Sequence, residues 1–186
     1  MSEATIEKKG FTVKDLAFTA MFSVIIAVCS WISIPFEVPF TLQTFGIFCA
    51  ALMLGGKRSF FSVLVYILLG LVGVPVFAGF SGGAGVLFGT TGGYIIGFLI
   101  IPVVYWLFTK FFGEKLPIII SALVIGLALC YAFGTAWFMI VYTRNSEAIG
   151  LATALGWCVF PFIIPDLVKM ALAIFLAKRL EKHVKL

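Results

Sequence analysis

Two ionisable side chains interrupt a long apolar stretch near the C-terminus. Between residues 148 and 177 the only charged residues are Asp166 and Lys169, and residues three apart share one face of a helix. A carboxylate and an ammonium group held together in this way can bind the polar edge of an organic molecule through charge-assisted hydrogen bonds. The pair could instead be a structural ion pair that neutralises its own charge, or it could do both.

A second candidate is the segment 75–94, which is rich in glycine and aromatic residues. Six glycines lie between residues 79 and 92, and each costs about 1 kcal/mol relative to alanine in a helix, so a loop is predicted. Glycines allow close backbone approach and aromatic rings supply flat apolar faces, which suits a lid over a flat organic molecule. The residues predicted to contact a ligand here are Phe77, Gly79, Gly82, Gly83 and Tyr94.

The same segment permits a second interpretation. Glycines recur at every fourth position from 85 to 97, and a row of small residues with this spacing lets a neighbouring helix approach closely. The loop could therefore tighten into helix partway along, and both interpretations remain open.

Gln43 is the third candidate, at the beginning of another apolar segment. Its side-chain amide offers two donors and one acceptor. It could contact a ligand, or it could cap a helix or bridge to a neighbouring one.

The residues required for common forms of catalysis are missing from the sequence. The single histidine, His183, lies in the charged C-terminal tail, and no second carboxylate lies near Asp166 for acid–base chemistry. The glycine-rich segment has neither common nucleotide phosphate-binding motif, so ATP hydrolysis is not expected. The four cysteines lie singly in apolar segments, which indicates apolar packing rather than a disulfide or a metal site. We therefore expect that the protein is not an enzyme and that it holds neither a metal nor a cofactor.

Membrane-spanning helices must position these candidate residues. Of the 186 residues, 62% are hydrophobic and only 11% are charged, which is too apolar for a soluble core of this size. Apolar runs of about 20 residues can cross a bilayer as helices, and their sequences do not alternate as the strands of a membrane barrel would. The predicted fold is all-α, one domain over residues 1–186 with six transmembrane helices. The predicted spans are 16–33, 42–55, 60–74, 92–112, 116–142 and 161–178.

The distribution of basic residues predicts the orientation of these helices. Eleven of the 13 Lys and Arg residues flank the chain ends or lie in the second-to-third and fourth-to-fifth connections. They are Lys8, Lys9, Lys14, Lys57, Arg58, Lys110, Lys115, Lys178, Arg179, Lys182 and Lys185. Since cytoplasmic loops are enriched in Lys and Arg, both termini are predicted to be cytoplasmic and the candidate site to be outer. The net charge of +5 is spread between apolar runs, so nucleic acid is not an expected partner.

Five blocks of sequence occur in order along the chain. They are ISIPFEVPFTLQT (32–44), LGGKR (54–58), LLGLVGVPVFAG (68–79), GTTGGY (89–94) and PFIIPDLVK (161–169). Together they resemble the BioY family, the biotin-specific S components of energy-coupling-factor (ECF) vitamin transporters. One departure is that family members commonly read Pro-Gly-Asp where this chain has Ile-Pro-Asp at 164–166.

The resemblance implies a six-helix S component in the cell membrane that captures biotin with high affinity on the outer side. Biotin would be the transported ligand rather than a cofactor. The implied protein partners are a transmembrane coupling protein and two ATPase subunits, which would supply the energy for uptake. The resemblance also assigns Asp166, Lys169 and the loop from Gly79 to Tyr94 to the biotin site, with Gln43 as a further candidate.

S components of this kind tend to carry a row of alanines four apart on the first helix, where the coupling protein docks. In this chain Ala17 and Ala20 are three apart, and Ser23 and Ala27 give the nearest match to the four-residue spacing. The resemblance therefore implies a docking face made of Ala17, Ala20, Ser23 and Ala27.

Two other classes of membrane protein are alternatives. A stand-alone channel or secondary transporter would favour internal repeats and polar residues along a path through several spans, whereas polar residues here concentrate toward one side. A structural or assembly protein would leave Asp166 and Lys169 with a packing role only. The residues themselves favour a site for a small, flat, polar-edged ligand.

Overall fold

The chain forms a bundle of helices with one short β-ribbon in a computed structural model that describes residues 11–36, 38–145 and 149–181. The helices are α1 (Val13–Trp31), α2 (Gln43–Leu71), α3 (Ala84–Leu87), α4 (Gly92–Gly97), α5 (Ile100–Phe112), α6 (Leu116–Asn145), α7 (Leu151–Cys158) and α8 (Phe160–Glu181). A 3-10 turn over Ala78–Phe80 precedes α3. Two strands, β1 (Ser33–Ile34) and β2 (Phe40–Thr41), lie between α1 and α2.

Helix α2 consists of two antiparallel limbs. At Gly55 the backbone leaves the helical region, with φ 77° and ψ 167°, a conformation that a residue without a Cβ adopts most easily. Nε2 of Gln43 lies 2.5 Å from the hydroxyl of Tyr66, 23 residues later, whereas a straight helix would separate these residues by about 35 Å. The chain therefore reverses at Gly55, and the predicted second and third spans are separate helices.

Length and apolar composition identify the membrane-spanning segments among the described residues. Five segments of the described chain are long and apolar enough to cross a membrane: Val13–Trp31, Gln43–Leu71, Gly92–Phe112, Leu116–Arg144 and Leu151–Leu180. The second of these contains both limbs of α2, so the described residues form six principal helices. The prediction of an all-α protein with six transmembrane helices is confirmed.

The start of α1 lies three residues before the predicted position. Thr12 caps the helix, since its Oγ1 accepts from the backbone N–H of Asp15 at 3.2 Å. The carboxylate of Asp15 in turn accepts from the backbone N–H of Thr12 at 3.0 Å, which completes a capping box. The prediction began the span at the first continuous apolar run and so missed a polar first turn.

The bundle has two ends. We call one the terminal end, which holds the start of α1, the bend at Gly55, the α5–α6 connection and the end of α8. There Nη2 of Arg58 forms an ion pair with Oδ1 of Asp15 at 2.8 Å. We call the other the loop end, which holds the connections that follow α1, α2 and α6. There Nε1 of Trp31 donates to the carbonyl of Pro75 at 2.9 Å.

Basic residues gather at the terminal end. The members within the described residues are Lys14, Lys57, Arg58, Lys110, Lys115, Lys178 and Arg179, whereas Arg144 belongs to the loop end. Lys8, Lys9, Lys182, Lys185 and His183 lie outside the described residues. The fold thus places the described basic residues as expected relative to one another, and the side of the membrane that they face stays a prediction.

The glycine row divides between a loop and a helix contact. A Cβ on Gly93 would lie 2.3 Å from Cβ of Trp137, and one on Gly97 would lie 3.1 Å from Sγ of Cys130. Helix α4 therefore packs closely on α6 through these two glycines. The preceding residues, 72–91, form a connection whose longest helix is the four-residue α3. A loop therefore occupies the first part of the segment and a close helix contact the second, and the role of the loop as a lid over a ligand stays a prediction.

The β-ribbon between α1 and α2 was not predicted. Ser33 pairs with Thr41 and Ile34 with Phe40 in antiparallel register. Strands of two residues are too short to show an alternating pattern in the sequence. The ribbon reverses the chain after α1 and leads directly into α2, so it fixes the position of Thr41 at the loop end.

The predicted spans leave residues 143–160 as a connection. Helix α6 extends into this stretch as far as Asn145, and α7 fills Leu151–Cys158. The backbone departs from helix at Val159, with φ −126° and ψ −58°, and α8 begins at Phe160, one residue before the predicted start. The four cysteines are free and buried, as predicted.

Candidate ligand-binding site

A cavity of about 130 Å³ lies inside the loop end. Its wall is contributed by the β-ribbon and its turn, the start of α2, the connection 72–91 and helices α4, α6, α7 and α8. Five of the predicted ligand contacts line it, namely Gln43, Phe77, Tyr94, Asp166 and Lys169. The fold therefore brings residues from distant parts of the chain around one space.

Asp166 lies at the centre of a buried hydrogen-bond network. Its Oδ1 accepts from Oγ1 of Thr44 at 2.8 Å and from Nζ of Lys169 at 2.7 Å. The hydroxyl of Tyr131 donates to Oδ2. Donors from α2, α6 and α8 thus converge on one carboxylate. Their hydrogen bonds replace those that the carboxylate would make with water if it were exposed.

Lys169 uses its ammonium group to join three elements. Besides Asp166, Nζ donates to the backbone carbonyl of Thr41 at 2.6 Å and to Oγ1 of Thr44 at 3.3 Å. Nζ also lies 4.2 Å from the ring centroid of Phe40, within range of a cation–π interaction. Since an ammonium has three donors, the described partners already account for all of them.

The local sequence of α8 explains how this pair is presented. Asp166 follows Pro165, which lies inside the helix and has no N–H to donate to the carbonyl four residues earlier. The pair then occupies the next turn, with the i,i+3 spacing that lets both side chains meet on one face. The predicted ion pair is present, and it borders the cavity rather than being sealed away from it.

Gln43 is held by two neighbours. Its Nε2 donates to the hydroxyl of Tyr66, and its Oε1 accepts from Oγ1 of Thr41 at 2.8 Å. These contacts fix which way the amide points. Gln43 therefore bridges the two limbs of α2, and it also borders the cavity. Its contact with a ligand stays a prediction.

Phe77 and Tyr94 supply aromatic walls to the cavity. The ring of Phe77 covers Gly70, where an added Cβ would lie 1.9 Å from Cζ of the ring. Its ring also meets that of Tyr66 edge-on, with 5.5 Å between centroids. The hydroxyl of Tyr94 lies 2.7 Å from Oγ1 of Thr135 on α6. Both rings are thus held in place by neighbouring helices.

Gly79, Gly82 and Gly83 are not among the residues that line the cavity. They shape the connection that carries Phe77, because Gly79 and Gly83 have φ values of 67° and 94°. A Cβ on Gly82 would lie 2.5 Å from the carbonyl oxygen of Val74. A direct contact between these glycines and a ligand stays a prediction.

The predicted docking row on α1 is divided. Ala17 and Ala20 are exposed, whereas Ser23 and Ala27 are buried. The hydroxyl of Ser23 donates to the carbonyl of Ser62 on α2 at 2.8 Å. As a correction, Ser23 and Ala27 belong to the contact between α1 and α2, so only Ala17 and Ala20 are accessible to a partner.

Four residues of the network were not singled out in the sequence. They are Thr41, Thr44, Tyr66 and Tyr131. Thr44 and Tyr131 contact Asp166 directly, and Tyr66 reaches Gln43. Their hydroxyls within apolar spans were the available signal, although hydroxyls in such spans commonly bond within their own helix or to a neighbouring one.

Comparisons with known proteins identify a family, curated relatives and a solved structure that this chain resembles. The sequence matches the model of the BioY family over residues 3–186. It is 39% identical to the biotin transporter BioY of Thermotoga maritima, over 91% of this chain and 96% of that protein. It is 38% identical to a probable biotin transporter BioY of Pyrococcus horikoshii, over 90% and 96% respectively. The fold is similar to a crystal structure of the S-component for biotin from an ECF-type ABC transporter, with a TM-score of 0.80, 29% identity, and 94% and 96% coverage.

Proposed function

This chain belongs to the BioY family, and from that premise we propose that it binds biotin in the cavity at the loop end. It acts as the substrate-binding S component of an ECF-type transporter rather than as an enzyme. The observation that carries the site assignment is the buried Asp166–Lys169 pair, which lines that cavity. A purely structural pair would gain nothing from facing an open space.

The polar groups at the cavity match the chemistry of biotin. Biotin has a ureido ring with two N–H donors and one carbonyl, an apolar thioether ring and a carboxylate tail. Oδ2 of Asp166 accepts from Tyr131 and, as a carboxylate oxygen, has capacity for a second donor. We assign Oδ2 as the acceptor for a ureido N–H group.

Lys169 binds a ligand only by exchanging a partner, because its three donors are in use. The longest of its bonds is the one to Oγ1 of Thr44, at 3.3 Å. We assign this donor to an oxygen atom of biotin, which replaces Thr44 when the ligand enters. Gln43 has one further amide N–H beyond the one given to Tyr66, and this donor serves a second oxygen atom.

The connection 72–91 covers the apolar rings of the ligand. Phe77 and Tyr94 border the cavity, and the backbone N–H of Gly83 ties the connection to the carbonyl of Gly70 at 2.7 Å. Gly79, Gly82 and Gly83 let the connection fold tightly enough to bring Phe77 over the site. This role supports the predicted importance of the glycines without requiring each to touch biotin.

Uptake requires partners, since the sequence has no nucleotide-binding motif. We assign these as a transmembrane coupling protein and two ATPase subunits, on the strength of the family. The exposed Ala17 and Ala20 on α1 form the accessible part of the docking face.

The protein is a multi-pass membrane protein, and we place it in the cell membrane as a single domain. The gathering of basic residues at the terminal end favours cytoplasmic termini, since cytoplasmic loops are enriched in Lys and Arg. The biotin cavity then opens toward the outer side.

Calorimetric titration of the purified protein with biotin tests this function. We expect saturable binding of one biotin per chain, and no saturable heat from the Asp166→Asn variant. Absence of binding by the natural protein at micromolar biotin would contradict the assignment of substrate.

Replacement of Lys169 by alanine tests the site separately from the function. We expect the affinity for biotin to fall by at least about tenfold, because a charge-assisted hydrogen bond contributes about 1.5–3 kcal/mol. Calorimetry gives the dissociation constant, and thermal unfolding shows whether the variant is folded. A folded Lys169→Ala protein with unchanged affinity would remove Lys169 from the binding site.

A further inference from the structure

A second and larger cavity lies at the terminal end of the bundle. Its volume is about 700 Å³, and none of its lining residues also lines the biotin cavity. Its wall comes from the bend of α2, from α5, from the α5–α6 connection, and from the first turns of α6 and the last turns of α8. Nothing in the proposed binding of biotin uses this space.

The cavity exists because two membrane-spanning helices stand apart there. Helix α8 packs mainly on α2, and α6 packs mainly on α4 and α5. Leu116 and Ile119 of α6 therefore face Ile174 and Leu180 of α8 across the space. Apolar walls that meet no protein atoms lose their dispersion contacts unless another apolar group fills the gap. In a membrane the nearest such group is a lipid acyl chain.

The rim of the cavity is charged. Arg58 and Lys178 contribute cations and Glu114 contributes one carboxylate. Arg58 also pairs with Asp15, while Lys178 and Glu114 are exposed and take part in none of the ion pairs found among the described residues. An anion that enters this rim would meet two cations, and a hydroxyl group beside it could donate to Glu114.

We propose that this cavity is a binding site for an anionic phospholipid. The phosphate group lies between Arg58 and Lys178, the headgroup hydroxyls face Glu114, and an acyl chain fills the gap between α6 and α8. Basic pockets between transmembrane helices are known to bind anionic headgroups in this way. The combination of an apolar floor with a mainly cationic rim fits such a lipid better than it fits a soluble anion, which would leave the floor uncovered.

Native mass spectrometry of the detergent-purified full chain tests the proposal with phosphatidylglycerol and phosphatidylcholine as probes. We expect tighter binding of phosphatidylglycerol, and about fivefold weaker binding of it by Lys178→Gln, as expected for loss of one cation near an anionic headgroup. Ala177→Phe, which places a ring in the cavity, should weaken binding of both lipids. Arg144→Gln is the matched control, because it removes a cation from the opposite end and should change nothing.

Equal binding of the two lipids by the natural protein would overturn the proposal. So would equal losses in Lys178→Gln and Arg144→Gln, since the preference would then reflect net charge alone. A third outcome is that lipid binding is unselective and Ala177→Phe blocks assembly with the transporter's other subunits. The cavity would then receive a protein segment, and the lipid site would be refuted. Circular dichroism and thermal unfolding establish that each variant is folded, independently of whether it binds biotin.

Discussion

The chain contains two ion pairs of nearly the same length in very different surroundings. Asp166 and Lys169 are 2.7 Å apart, and their side chains are 3% and 7% exposed. Asp15 and Arg58 are 2.8 Å apart, and their side chains are 13% and 38% exposed. The first pair lies at the cavity of the loop end, and the second joins α1 to the bend of α2 at the terminal end.

The comparison teaches that surroundings, rather than distance, decide what an ion pair does. Water can solvate Asp15 and Arg58 if they separate, so an ion pair of this kind adds little to stability. Asp166 and Lys169 have no such alternative and depend on Thr41, Thr44 and Tyr131. A ligand whose donors and acceptors match these groups can form hydrogen bonds with them at a site where bulk water does not solvate the pair.

The largest expected effect comes from Asp166→Asn. The change leaves the ammonium of Lys169 buried without its counter-charge, which should lower the free energy of unfolding by about 3–5 kcal/mol. Biotin binding should be lost as well, because Oδ2 no longer exists as a carboxylate acceptor. Thermal unfolding in detergent and calorimetry measure the two quantities. A loss of stability equal to that of Asp15→Asn would show that burial does not distinguish the pairs.

Thr44→Val should have the next largest effect. It removes the hydroxyl that contacts both Asp166 and Lys169 and nearly preserves the shape of the side chain. Hydrogen bonds to charged groups contribute about 1.5–3 kcal/mol, so thermal unfolding should show a loss in that range. Thr135→Val is the matched control, because its hydroxyl meets the neutral hydroxyl of Tyr94 and its loss should cost about 1 kcal/mol. Equal losses in the two variants would mean that the charges add nothing.

Tyr66→Phe tests whether Gln43 must be oriented for binding. The variant removes the hydroxyl that accepts from Gln43. Loss of this neutral hydrogen bond, worth about 1 kcal/mol, should weaken biotin binding by up to about fivefold. Because it acts through Gln43, the loss should shrink when Gln43 is already alanine, as residues in one network are not additive. Calorimetry on the two single variants and the double variant measures this coupling. Fully additive losses would show that Tyr66 acts independently of Gln43.

The smallest effect is expected for Asp15→Asn at the terminal end. The exposed ion pair with Arg58 is lost, but the amide oxygen can still accept from the backbone N–H of Thr12. The free energy of unfolding should therefore fall far less than in Asp166→Asn, because water replaces the lost partner, and biotin affinity should not change. A change in biotin affinity measured by calorimetry would reveal coupling between the two ends of the bundle.

The sequence predicted the parts of the molecule that depend on strong local signals. Membrane crossings follow from apolar runs, and Asp166 and Lys169 stand out because charge is rare within them. Thr44 and Tyr131 could not be assigned, since their importance depends on how α2 and α6 are rotated relative to α8. Ser23 and Ala27 were placed on a docking face for the same reason, because spacing alone does not say which neighbour a row of small residues meets.

The backbone carbonyl of Thr41 accepts a hydrogen bond from Lys169, and the β-ribbon holds it there. Every amino acid presents this same carbonyl, so substitution of the side chain at position 41 leaves the contact intact. An alanine at this position would remove the hydrogen bonds that Oγ1 makes with the side chain and the backbone N–H of Gln43, but not the bond to Lys169. This part of the proposed binding site is therefore insensitive to side-chain substitution, and the sequence can vary at position 41 while the contact with the buried ammonium of Lys169 is kept.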